Sequence, residues 1–205
     1  REQVLQRLPD LNVPLVFLTM NSQPGLSIVS VDNYRGGRMA TEHLLAQGCQ
    51  RIGHIAGPLS WWEAQQRKAG WADALAAAGL EVADFMWVEG NWSSKSGELA
   101  AYQLLDRFPD LDAVFAANDQ MALSLLAVAR RRGRSVPNDL AVVGFDGMPE
   151  AAYFVPSLTT VQQDLYQLGC QAVRQLVGII DALRSTSNHQ EHQTLWIEPQ
   201  LIVRE

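Results

Sequence analysis

The stretch AVFAANDQMA, Ala113–Ala122, decides how the rest of the chain is read. Ala113–Ala117 is a short apolar run containing Val114 and Phe115, the pattern of a buried strand. Asn118-Asp119 interrupts it, and Met121, Ala122, Leu125, Leu126 and Ala129 then recur at helical spacing. Asp119 is placed to cap that helix, where a carboxylate accepts from orphan amides at the positive end of the dipole. Asn118 is left at the carboxyl end of a strand, where open α/β sheets hold ligands.

Outward from this unit the same alternation recurs. Leu15–Thr19, Ile28–Val31, Ile52–Ala56, Met86–Glu89, Leu140–Gly144 and Leu158–Gln162 read as strands, with short final strands at Leu195–Ile197 and Leu201–Val203. Helices are expected over Tyr34–Gln47, closed by Gly48, over Glu63–Ala78, closed by Gly79, and over Leu99–Phe108. Arg1–Leu8 reads as the last turns of a helix stopped by Pro9, and Ser185–Gln190 as a polar loop. Leu165, Leu168, Gly169, Ala172, Val173, Leu176, Val177 and Ile180 form one helical stripe. Strands alternating with helices imply βαβ units, right-handed crossovers and parallel sheets.

Composition narrows the class. At 205 residues and 47% hydrophobic the chain can bury a large core. Its formal charge of −6 argues against holding nucleic acid by phosphate neutralisation. No apolar run is long enough to span a bilayer, and the opening REQVLQRLPD is no signal peptide. Cys49 and Cys170, far apart and in no CxxC pattern, read as small core residues of a reducing, cytoplasmic compartment.

Signals for catalysis are poor. GxSxG, the Walker loop and GxGxxG are absent, and Gly36-Gly37 opens a helix without the rest of a phosphate loop. His189 and His192 have no third metal ligand nearby, so no metal and no cofactor is implied. Asp119 and Asp146 can be read as an acid/base pair, but nothing supplies a nucleophile or a metal. The run Arg130-Arg131-Arg132-Gly133-Arg134 reads as a helix end that favours cations and a glycine cap.

What the strand ends carry instead is a set of planar polar and aromatic side chains. Thr19, Asp32, Trp92, Asn118, Asp146 and Gln163 follow strands, and Arg67 lies one turn into a helix. Planar groups that give and take two hydrogen bonds suit neighbouring hydroxyls, and an indole suits the CH face of a sugar ring. Arg67, Trp92, Asn118 and Asp146 together read as a site for a polyol or sugar. Taken singly, Arg67 also reads as a solvated helix residue, Trp92 as a loop anchor, and Asn118 and Asp146 as turn residues.

GHIAGPLS…RKAGW (Gly53–Trp71), GNWSSKSG (Gly90–Gly97), FAANDQMAL (Phe115–Leu123), VVGFDG (Val142–Gly147) and PSLTTVQQD (Pro156–Asp164) closely resemble the lactose-repressor family of bacterial transcription regulators. The resemblance runs over nearly the whole chain with its spacing kept. It implies two Rossmann-like lobes with parallel sheets, the type I periplasmic binding protein-like α/β fold, joined by three crossings near Val31–Asp32, Gln162–Gln163 and Gln193–Thr194. The N-terminal lobe is then 1–31 with 163–192, and the C-terminal lobe 32–162 with 193–205.

The resemblance further implies that Arg67, Asn118 and Asp146 hold sugar hydroxyls, that Trp92 stacks on the ring, and that Gln163 contacts ligand near the hinge. Thr19 falls where the family's eponymous member has an acidic residue holding a sugar hydroxyl, and Leu165 where it has an aromatic ring; both departures point away from a galactoside. The segments Ser93–Glu98, Ala122–Ala127 and Glu150–Val155 resemble the family's dimer surface. The expected protein is a cytoplasmic homodimer that senses a mono- or disaccharide, is no enzyme, and meets operator DNA through an N-terminal helix-turn-helix that does not precede Arg1. A fragment is therefore expected, with an incomplete N-terminal lobe. The rivals are a periplasmic sugar receptor of the same fold and a sugar-modifying enzyme of doubly wound fold.

Overall fold

Strand-forming runs whose alternate residues are all apolar need a layer on each face, and the sequence supplies both. The computed structural model describes residues 13–185 and 192–204; the Arg1–Leu8 helix and most of the Ser185–Gln190 loop, with His189, lie outside the described residues. The chain divides into two compact units, one holding the chain up to Ser30 with Leu165–Ile197, the other Val31–Asp164 with the chain from Glu198 on.

The larger unit is a six-stranded sheet. Its strands are β3 (Ile52–Ala56), β4 (Trp87–Glu89), β5 (Ala113–Ala116), β6 (Ala141–Asp146), β7 (Thr159–Gln162) and β9 (Gln200–Ile202), in the order β4-β3-β5-β6-β7-β9. All pairs are parallel except β7 with β9. The expectation of purely parallel sheets fails there because the chain re-enters beside the carboxyl end of β7, where Gln162 faces Gln200, and a strand entering at that end must run backwards. Four helices cover the sheet: α1 (Asn33–Ala46), α2 (Trp62–Ala77), α3 (Ser94–Arg107) and α4 (Asp119–Arg131). Alternation sorts the core. Ala113, Phe115, Val143 and Phe145 face Ala40, Leu44, Trp71 and Leu75 of α1 and α2. Val114, Ala116 and Val142 face Ala100, Leu104, Met121 and Leu125 of α3 and α4.

Helix α3 starts five residues before the expected Leu99, because the Ser93 hydroxyl caps it by accepting from the Ser96 amide at 3.2 Å. A run of Ser, Lys and Gly that reads as loop is thus the first turn of a helix. The basic run at the end of α4 is engaged locally: Arg131 pairs with Glu98, Arg132 with Asp106, and Arg134 donates to the carbonyls of Leu111 and Asp139.

The smaller unit holds β1 (Phe17–Leu18), β2 (Ile28–Val31), β8 (Thr194–Ile197) and α5 (Leu165–Arg184), with strand order β1-β2-β8. The third change of unit comes at Ile197–Glu198 rather than Gln193–Thr194, since the Gln193 carbonyl accepts from the Ile28 amide and seats β8 beside β2. The second comes at Asp164–Leu165, which leaves Gln163 in the larger unit. Of the apolar stripe of α5 only Leu168 is buried, as is Ile179 outside the stripe, while Leu165 and Val173 are each 61% exposed.

His54 of β3 is fully buried between the rings of Trp71 and Phe115, at centroid distances of 5.4 and 4.8 Å. Its Nδ1 is 2.8 Å from the Phe115 carbonyl and its Nε2 has no partner among the described residues. Burial lowers its pKa from 6.5 to about 3. A depressed folded-state pKa gives stability that is fully present above 6.5 and is lost as pH falls toward 3, because only the unfolded chain takes up the proton. Between pH 7 and pH 5 the wild type is expected to lose about 2 kcal/mol more than His54→Leu. Urea denaturation at the two pH values measures this, and equal losses would place a proton on the buried ring.

Candidate functional site

Arg67 stands on the second turn of α2, with its guanidinium drawn inward until the residue is 5% exposed. Its Nε donates to Asn33 Oδ1 at 2.8 Å, and its Nη1 to the Ala117 carbonyl at 2.6 Å and to Asp146 Oδ1 at 3.2 Å. The guanidinium carbon lies 3.6 Å from the centre of the Phe145 ring and 5.4 Å from that of Trp92. Asn33, at the start of α1, is itself fixed by donating to the Val31 carbonyl at 3.0 Å. One cation is thus held by the chain just after β2, just after β5 and at the end of β6. Burial lowers its pKa, and the Asp146 carboxylate opposes that shift; a guanidinium stays protonated throughout.

Asp146 ends β6 and also accepts from Gln163 Nε2, at 2.7 Å. Burial raises its carboxyl pKa, with Arg67 and Gln163 pulling the other way. Its second oxygen accepts from no described residue and its side chain is 34% exposed. Trp92 lies across Gly57, where a β-carbon would collide with the indole, and meets Trp61 edge to face at 6.3 Å. The indole Nε1 is buried and has no hydrogen-bond partner among the described residues.

Asn118 corrects the expected capping. It is Asn118, not Asp119, that caps α4, its Oδ1 accepting from the Met121 amide at 2.9 Å. Its Nδ2 donates to the Trp92 carbonyl at 2.9 Å, so one amide ties the strand end to the indole loop. Asp119, the first helical residue, is fully buried and accepts from Thr160 Oγ1 at 2.6 Å and the Met148 amide at 2.8 Å. Burial raises its pKa from 3.8 to about 6. Its oxygens are turned into the fold, which removes it from the acid/base pair considered above.

Backbone strain marks the same positions. Among the described residues, the non-glycine residues with positive φ are Thr19 at 51°, Trp92 at 72° and Asp146 at 110°. A tryptophan in the left-handed region is held there only where its surroundings over-determine it, and such strain collects at ligand sites. Thr19 belongs to the smaller unit, where it follows β1 and donates its amide to the Val29 carbonyl at 3.1 Å. Arg67, Trp92, Asn118, Asp146 and Gln163 belong to the larger unit and are linked there by the contacts just given.

Two residues escape a reading of strand ends. Trp61 is 44% exposed against Trp92, and Glu63 is 8% exposed, its buried Oε2 without a partner among the described residues. Glu63 lies one turn before Arg67, and four-residue spacing on one helix face was the signal available for it. Among the described residues, no three His, Cys, Asp or Glu side chains come together as metal ligands, and no helix is long and apolar enough to cross a membrane.

A family model described as a periplasmic binding protein-like domain matches residues 41–205. The HTH-type transcriptional regulator CelR of Thermobifida fusca is 42% identical over 180 residues, 88% of this chain and 52% of that protein. The chain belongs to the lactose-repressor family, in its periplasmic binding protein-like domain. The Lactose operon repressor of Escherichia coli (strain K12), another family member, is 36% identical over 168 residues, 82% of this chain and 46% of that protein. The chain spans about half the length of the curated relatives it matches. Within the family, the solved structure of a transcriptional regulator CelR–cellobiose complex has a TM-score of 0.89 at 39% identity, covering 98% of this chain and 61% of that one. The Lac Repressor bound to ONPG in the repressed state has a TM-score of 0.88 at 30% identity, covering 99% and 60%.

Proposed function

We propose that this chain is the effector-sensing domain of a sugar-responsive transcriptional repressor. The effector is a mono- or disaccharide, and the residues proposed to contact it are Arg67, Trp92, Asn118, Asp146, Gln163 and Thr19. The observation that carries this reading is the convergence of Arg67, Asp146 and Gln163 beside the Trp92 indole. Among the described residues that arrangement leaves one Asp146 carboxylate oxygen and the Trp92 indole N–H without a partner, next to an aromatic face, the set a pyranose satisfies with its hydroxyls and its CH face. The relatives' descriptions as a cellobiose complex and an ONPG complex support a glycoside effector. The relatives are described as regulators and repressors, so binding without turnover is the expected behaviour.

The effector works by preferring one conformational state of the protein, and that difference in affinity passes to DNA-binding heads carried elsewhere on the full-length protein. A full reversal of the equilibrium needs about 5.5 kcal/mol of preference, within reach of several charge-assisted hydrogen bonds. A cytoplasmic homodimer is the working assembly. Tyr153 and Val155 are 85% and 83% exposed on the segment that resembles the family's dimer surface, an apolar patch that pairing would cover. The relatives' names as regulators and repressors favour this reading over a transport receptor.

Tryptophan fluorescence against cellobiose, lactose, maltose and glucose tests it. Saturable binding of at least one sugar is expected, with that sugar recovered unchanged after prolonged incubation. No response to any saccharide would end the reading, and conversion of the sugar would replace it with an enzyme.

A further inference from the structure

The first turn of α2 holds a carboxylate oxygen that has no hydrogen-bond partner among the described residues. Glu63 is 8% exposed, and its buried Oε2 has no partner among the described residues. It faces Arg67 one turn along the same helix, close enough to attract it, yet Arg67 directs its hydrogen bonds to Asn33, Ala117 and Asp146 instead. A buried acceptor is normally satisfied, and one left open beside a ligand site waits for a donor. The charges around Arg67 are also lopsided. One guanidinium is faced by the carboxylates of Asp146, Glu63 and the buried Asp119. The neighbouring Lys68 sits 3.2 Å over the Trp87 ring on the edge strand β4, toward Asp84 and Glu89.

We propose that Glu63 selects uncharged effectors: its unpartnered carboxylate oxygen accepts a hydroxyl hydrogen bond from a neutral sugar and, with Asp146, repels sugar phosphates and sugar acids. The assignment rests on the saccharide reading of the site and narrows it. A hydroxyl donor satisfies Oε2 at no cost in charge. An anionic group brought into the same partly desolvated space meets two like charges with their one counter-charge already engaged.

The test is a fluorescence titration of wild type, Glu63→Gln and Glu63→Ala with cellobiose, lactose, maltose and glucose, each beside its 6-phosphate. Wild type is expected to bind a neutral member at least about a hundredfold more tightly than its phosphate. Glu63→Gln keeps the shape, removes the charge, and is expected to weaken the neutral sugar about tenfold while narrowing the gap to the phosphate. Melting temperature separates this from a role in stabilising the helix start, which would lower the melting point of both variants and leave affinity intact. Glu63→Gln binding the neutral sugar within twofold of wild type overturns the role of Glu63 and leaves the sugar site standing. So does a wild type that binds a phosphate as tightly as its neutral parent. Failure of wild type to bind any member of either series overturns the saccharide reading and this one together.

Discussion

Arg67→Ala is expected to lower the affinity for the effector sugar by at least about a hundredfold and to destabilise the domain by about 2–3 kcal/mol. The first effect follows from geometry. The guanidinium is the shared partner of Asn33, Ala117 and Asp146 and lies on the Phe145 ring beside Trp92, so its removal frees four elements of the site at once. The second follows from what is left behind. The Ala117 carbonyl and the Asn33 amide oxygen lose a donor in the interior, and the Asp146 carboxylate loses its counter-charge. Removing one partner of a fully buried pair costs about 3–5 kcal/mol; the Asp146 side chain is 34% exposed, so water takes part of that load and the lower figure applies. Arg67→Lys keeps the charge but cannot reach three acceptors in one plane, so it should recover stability better than affinity. Fluorescence titration and urea denaturation read the two quantities separately. An Arg67→Ala domain with wild-type affinity for the sugar that wild type binds would move the site elsewhere.

The sequence and the structure agree where a residue's position along a strand settles its place. Asp146 and Gln163 lie at the ends of strands that are neighbours in a parallel sheet, so topology alone brings them to one edge, and Arg67 follows from its place in the helix after β3, a parallel strand of the same sheet. The disagreements arise where two similar side chains compete for one local role. Asn118 and Asp119 can each cap a helix; which one does depends on Thr160 and the Met148 amide, which come from β7 and the loop after β6 and draw Asp119 inward. No spacing along the chain carries that. Glu63 was hidden for a related reason: a carboxylate in the first turn of a helix reads as ordinary dipole compensation, and only its missing partner sets it apart. Thr194–Ile197 has the pattern of a strand for either sheet, and the Gln193 bond to Ile28 is what seats it beside β2.

Gly37→Ala is expected to cost about 3 kcal/mol and to weaken sugar binding, although it adds a single methyl group to a helix and touches no ligand. In the sequence Gly36-Gly37 opens a helix to no evident purpose. In the fold, a β-carbon on Gly37 would collide with the Arg67 carbonyl and lie 3.0 Å from the Arg67 Cα, while one on Gly70 would collide with the Tyr34 carbonyl. Helices α1 and α2 therefore meet backbone to backbone where Arg67 is carried, and backbone cannot rotate aside as a side chain can. Gly36 extends the contact, since its β-carbon would lie 2.6 Å from the Phe145 ring on which the guanidinium rests. Relief must come from α2 moving outward, and Arg67 moves with it, lengthening its bonds to Asn33, Ala117 and Asp146. Gly169→Ala in α5 is the matched control. A β-carbon there meets nothing within 4 Å, so the same change is expected to stabilise by about 0.5–1 kcal/mol through helix propensity alone. Opposite signs for the two substitutions in urea denaturation, with affinity lost only in Gly37→Ala, would tie the seating of Arg67 to the close approach of the helices. Equal and favourable effects would show that α1 and α2 have room to spare and that the position of Arg67 is set by its hydrogen bonds alone.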